Sequence, residues 1–227
     1  MVVVALLSVD LVKSVDLVSV ELVVNCNLKW DSHISRLARK LNFKLFTLRR
    51  FNEKLPKALL KRVCDAIFKS HIRYGLPLYC PVQIKDDDPI PGCVKAIKVA
   101  QNDCLRLLSG TKRTDHTSIK SMLDDLGWLS INQLAAETRL IEAWKSVHME
   151  DYCMKEVLQL RPKGNYRTRT NHVDLLELGV DDIYGSAGFV KTTAKLWNES
   201  PMSVKEATTI SLAKKEIRKF VMEKIPI

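Results

Sequence analysis

From Trp30 onward the apolar residues recur at steps of three and four rather than two. Ile34, Leu37, Leu41, Leu45 and Leu48 form one such row, while Arg36, Lys40 and Lys44 line another face at steps of four. This is the pattern of an amphipathic helix with a cationic back, and Asp31 or Ser32 is placed to cap its N-terminus. A second helix is expected from Pro56, whose fixed φ suits a first helical turn. It carries Leu59, Leu60, Val63, Ile67 and His71 or Tyr74 on one side, and Gly75 ends it. A third runs from about Cys93 to Ser109, with Val94, Ile97, Gln101, Cys104, Leu105 and Leu108 inward and Gly110 as its stop. Further helical segments are expected near Thr117–Leu126, from the Ser130-Ile131-Asn132-Gln133 capping box to about Met149, over Cys153–Leu160, Ala187–Asn198 and Ser211–Glu223. Strands do not alternate with helices, which argues against a parallel α/β sheet.

Residues 1–27 have a different texture. SVDLV, SVDLV and SVELV start at Ser8, Ser14 and Ser19, with unequal periods too short for a solenoid. The valines favour a strand or short hairpin ending near Asn25, which must pair with something to avoid aggregating. The expected fold class is therefore mainly α: a Val-rich strand or hairpin at 1–27, a three-helix bundle at 28–113, and a second helical region at 114–227.

Charge divides the chain at the same places. The net charge of +10 resolves into −2 over residues 1–27, +12 over 28–113, where 19 bases face 7 acids, and zero over 114–227. Solvated helix faces ordinarily mix signs, so this localised surplus reads as a footprint for a polyanion. Lys29, Arg36, Arg39, Lys40, Lys44, Arg49, Arg50, Lys61 and Arg62 are the candidate phosphate contacts. Phe43, Phe46 and Phe51 interleave with these bases, but their spacing equally suits a bundle interior, and the core is where they are expected.

Other classes find little support. The six cysteines are scattered singly with no C-x-x-C pair, which favours reduced thiols in a cytoplasmic or nuclear protein over a zinc site or a disulfide framework. The apolar start, Met1–Leu7, lacks a positive flank and is followed by Asp10, Lys13, Asp16 and Glu21, so neither a signal peptide nor a membrane span is expected. No G-x-G-x-x-G, Walker A, G-x-S-x-G or H-E-x-x-H occurs, leaving no starting point for a cofactor or small-molecule substrate. Asp86–Asp88, Asp124-Asp125 and Asp181-Asp182 sit in loops or at helix edges, where acids cap and solvate. A metal-dependent phosphoryl site needs carboxylates converged on rigid elements, so no metal site and no catalytic residue is assigned.

Four blocks carry a resemblance. Asn27–Ile34 with the basic helix ending in Leu48-Arg49-Arg50, then Ile72–Tyr79 with an "Ile/Leu-x-Tyr-Gly" helix end, then Val99–Gly110 with a "Gln-x-x-x-Leu-Arg" helix, and Lys195–Pro201 with a "Leu-Trp-Asn-x-Leu-Pro" block follow in the order found in non-LTR retrotransposon reverse transcriptases of the jockey-like group. The chain resembles the region after the polymerase palm in that family. The resemblance implies a thumb and post-thumb region, a helical bundle that holds a template–primer duplex. It also implies that the catalytic palm is missing, since no Tyr/Phe-x-Asp-Asp occurs in the 227 residues. Ser200 stands where the family usually has Leu. The expected function is that of a non-catalytic piece of an RNA-directed DNA polymerase that binds RNA or DNA duplex backbone without sequence preference. The alternative is an interaction module that docks a polymerase palm in trans.

Overall fold

A computed structural model describes residues 30–84, 92–161, 174–177 and 188–227. The Val-rich segment, Lys29, Asp86–Asp88, Tyr166–Asn171 and Asp181-Asp182 lie outside the described residues, and with them the expected strand or hairpin.

The described chain is mainly helical. Helix α1 (Asp31–Phe51) is followed by α2 (Lys57–Val63), a π-helical segment (Cys64–Lys69) and α3 (Ser70–Arg73). Short α4 (Leu76–Tyr79) leads to α5 (Gly92–Ser109), a 3₁₀ turn (Arg113–Asp115), α6 (Ile119–Leu126) and α7 (Ile131–His148). Helices α8 (Phe189–Glu199), α9 (Met202–Lys205) and α10 (Ile210–Lys224) close the chain.

The expected inner row of α1 is the observed one: Ile34, Leu37, Leu41, Leu45 and Leu48 are all buried. Each contributes roughly 1.5–3 kcal/mol of transfer free energy, as an upper estimate. The row packs along α5, whose Val94, Ile97, Gln101, Cys104, Leu105 and Leu108 are buried as expected. Trp30, not Asp31 or Ser32, occupies the N-cap, and Asp31 lies in the first turn, where its charge favours the helix dipole.

The rod from α2 to α3 completes the bundle but turns a different face inward. Leu60, Cys64, Phe68 and Ile72 are the buried positions, whereas Leu59, Val63 and Ile67 are half-buried and Tyr74 is exposed. In an α-helix a row at steps of four drifts by roughly 40° per step. The wider i→i+5 turn over Cys64–Lys69 drifts the opposite way, so the four-step row stays on the core. Gly75, with φ 65°, then reverses the chain in the left-handed conformation that glycine adopts without strain.

Helix α7 is the axle of the second half, packed against α4, α5, α8 and α10. Its capping box is present in both directions: the Gln133 N–H donates to Ser130 Oγ at 3.2 Å, and the Ser130 N–H donates to Gln133 Oε1 at 3.2 Å. Buried polar groups on this helix tie its neighbours together. Arg139, only 1% exposed, donates to the carbonyls of Pro77 (2.8 Å) and Cys80 (3.0 Å) and to Thr192 Oγ1, and its guanidinium lies 5.6 Å from the Phe189 ring centre. Burial pushes its pKa down to about 10. Glu137 accepts from Arg73 at 2.6 Å and pairs with Arg218 at 3.7 Å. One hydrophobic core runs through α1 to α10, so the charge boundary near residue 113 is not a packing boundary.

Helix is absent from Cys153–Leu160. Those residues form turns ending in an isolated antiparallel bridge between Leu160 and Leu175. Leu158 is the one deeply buried side chain among them, too little apolar surface to hold so short a helix.

Candidate nucleic-acid interface

The solvent side of α1 follows from its inner row. Positions Arg36, Arg39, Phe43, Phe46 and Arg50 succeed one another at steps of three, four, three and four, so they form one stripe opposite Ile34, Leu41 and Leu48. All five are exposed, Phe43 by 66% and Phe46 by 58%. The expectation that these two phenylalanines enter the core is therefore overturned, because the leucines already fill the inner face. Phe51 is half-buried. Arg50 sets its guanidinium 5.9 Å from the Phe46 ring centre, and Arg39 Nε donates to Ser35 O at 3.4 Å. Asp31 is the helix's one acid, so the stripe from Arg36 to Arg50 contains no negative charge.

Where α1 ends, a second basic surface begins. Arg49, Asn52, Asp103, Arg106, Thr111, Lys112 and Arg113 line an open groove between the ends of α1 and α5. Three guanidiniums converge on one carboxylate there. Arg113 contacts both Asp103 oxygens at 2.8 and 2.9 Å, Arg106 approaches at 3.4 Å, and Arg49 at 3.9 Å. Lys57, from the first turn of α2, brings its Nζ within 3.7 Å of where a Cβ on Gly110 would lie. The surplus positive charge is held on helix ends by packed elements, where phosphate oxygens could replace water around the guanidiniums.

The nine sequence candidates are thus sorted by position. Arg36, Arg39 and Arg50 share the stripe, and Arg49 joins the groove. Lys40 is half-buried. Lys44 is only 7% exposed, which removes it from the contact set. Its pKa is lowered, first by burial and then by Lys40. Its side chain lies on the inner flank of α1, near enough to His71 that its charge helps depress the His71 pKa, after burial. Lys61 is half-buried and follows Lys57 by one turn of α2; Arg62 is exposed and turned by about 100° from it.

Asp103, Arg106, Lys112 and Arg113 are absent from the set that charge and spacing alone select. Their signal is present only in part: Arg106 belongs to the "Gln-x-x-x-Leu-Arg" block, but its meeting with Arg49 and Arg113 depends on how α5 crosses α1. The exposure of Phe43 and Phe46 is also missed by the sequence reading, though it has a signal there: on the helical wheel of α1 both lie opposite Ile34, Leu41 and Leu48.

No family model, curated protein or solved structure matches this chain. Among the described residues no three His, Cys, Asp or Glu side chains gather to hold a metal ion, and Asp124 and Asp125 are exposed on α6. Cys64, Cys80 and Cys104 are buried thiols, and the Cys104 pKa is raised, first by its hydrogen bond with Cys64 and then by burial. His148 stacks on Trp144 with ring centres 4.7 Å apart and hydrogen-bonds with Lys205 O at 2.8 Å. No described helix is long and apolar enough to cross a membrane.

Proposed function

We propose that this chain is a non-catalytic nucleic-acid-binding region, of the kind that follows the palm in a retrotransposon reverse transcriptase. The observation that carries the reading is the acid-free stripe of Arg36, Arg39 and Arg50, continuous at Arg49 with a groove holding three guanidiniums around one carboxylate. Such a surface neutralises several phosphates along a strand without reading base edges, which gives affinity with no sequence preference.

The four blocks of the resemblance support the polymerase origin less directly: Arg49, Arg50 and Arg106 reach the basic surface, but several of their other residues are structural here. Trp197 is fully buried, and Asn198 pairs with the Leu175 backbone, accepting at 2.9 Å and donating at 3.1 Å. Ser200 is buried and donates to Trp197 O at 2.6 Å, a role that a Leu could not fill. Gln101 donates to Leu129 O at 2.8 Å. Such residues preserve a fold whose exposed face does the binding.

Replacing Arg36, Arg39 and Arg50 together by Ala tests the reading. Duplex binding followed by fluorescence anisotropy should weaken, and its dependence on log salt should flatten by about 2.7, at ~0.9 for each phosphate no longer neutralised. Unchanged affinity and slope in a folded triple variant would refute it. The chain alone should extend no primer when given magnesium and nucleotides.

A further inference from the structure

Resting on that reading, we propose that the α1 stripe takes unpaired nucleotides, with Phe43 and Phe46 as stacking platforms for bases and Arg36, Arg39 and Arg50 holding the flanking phosphates. Among the described residues no packing accounts for the exposure of two phenylalanines on one turn, since the inner face of α1 is complete without them. Their chemistry and surroundings favour a nucleic acid over an apolar partner. A hydrophobic docking helix would face arginines at both ends of the patch and no carboxylate between Ser32 and Phe51, whereas a single strand offers π faces for the rings and phosphates for the guanidiniums. Duplex DNA or RNA keeps its bases stacked inward, so it could use the arginines but not the rings.

The geometry fits a short strand. Phe43 and Phe46 are separated by about 4.5 Å along the helix axis, and Arg36 and Arg50 by about 21 Å, at ~1.5 Å per residue. Arg50 already leans on Phe46 at 5.9 Å, leaving the ring's remaining surface for a base and placing a cation beside the phosphate that follows it. Base–aromatic stacking of this kind tolerates any base, in keeping with binding that does not depend on sequence.

Phe43→Ala and Phe46→Ala, singly and together, test the assignment against a short oligothymidylate strand and a duplex of matched length. Both positions are exposed, so the fold should tolerate the changes, and circular dichroism checks it. Each should cost at least about fivefold in single-strand affinity, from the energy of stacking one base on a ring, and leave duplex affinity unchanged. Phe43→Trp should retain binding, with its added fluorescence quenched by the oligonucleotide. Unaltered affinities for both nucleic acids in the phenylalanine variants, with the arginine triple variant still defective on each, would overturn the stacking role while keeping the basic interface. Binding of neither nucleic acid by the wild-type protein would overturn the two together. A concentration-dependent dimer abolished by Phe43→Ala would instead assign the stripe to a second copy of this chain and overturn the proposal.

Discussion

Asp103 is the one carboxylate among the described residues lining the groove, and its removal should strengthen nucleic-acid binding. The structure sets the size of the effect. Arg113 contacts both Asp103 oxygens at 2.8 and 2.9 Å, and Arg106 and Arg49 stand at 3.4 and 3.9 Å. A phosphate entering the groove must compete with this carboxylate for all three and is repelled by it. Asp103→Asn keeps the shape and some hydrogen bonding but releases one negative charge. At about 4 Å and near-aqueous dielectric, one unit charge is worth about 1 kcal/mol, or about fivefold in affinity. If the released guanidiniums take one further phosphate, the slope of log affinity against log salt steepens by about 0.9. Stability should fall only modestly, by about 1 kcal/mol, because Arg113 is 68% exposed and solvent screens the pair. Anisotropy titrations of wild type and variant across a salt series, with melting curves alongside, read both effects. Weaker binding by a folded Asp103→Asn protein would mean instead that the carboxylate organises the arginines rather than opposing the ligand.

Three further outcomes follow from the buried charges. Arg139→Met orphans the carbonyls of Pro77 and Cys80, each costing about 1–3 kcal/mol, so urea unfolding should show a loss of about 2–6 kcal/mol, with Arg139→Lys in between. Lys44→Met removes a desolvated ammonium while keeping its apolar stem; it should stabilise by about 0.5–2 kcal/mol and leave nucleic-acid affinity unchanged, whereas weaker binding would return Lys44 to the interface. His71 is held below its ordinary pKa of 6.5, first by burial and then by the Lys44 ammonium. In the unfolded chain it takes a proton at a pH where the folded protein keeps it neutral. Stability should therefore be complete above about 6.5, decline as the pH falls from there toward the folded value, and decline less in His71→Gln.

Much of the fold is legible in the sequence because it depends on local period. The inner rows of α1 and α5, the Ser130 capping box and the stops at Gly75 and Gly110 each need only a few neighbouring residues to specify them. The inward face of the α2–α3 rod is not, because the π segment alters the helical period, and Leu60, Cys64, Phe68 and Ile72 do not form a row on an ordinary α-helix. Cys153–Leu160 shows that helical composition without a buried stripe does not make a helix. For the site, the exposed arginines of α1 can be chosen from charge alone, but Lys44 cannot be separated from them: it lies on the edge of the inner face, and its burial depends on α3 packing there. The groove around Asp103 joins residues more than fifty positions apart, from Arg49 to Arg113, and no short-range pattern announces such a meeting.

On the proposed reading, the positive surface of α1 and its adjoining groove bind nucleic acid through phosphates. The slope of log affinity against log salt for a mixed-sequence duplex, taken between about 50 and 200 mM, measures how many phosphates are engaged. With three stripe arginines and part of the groove engaged, the slope should lie near about −3 to −5, at ~0.9 per phosphate, and be the same for unrelated sequences. A slope near zero, or no binding at the lowest salt, would contradict it.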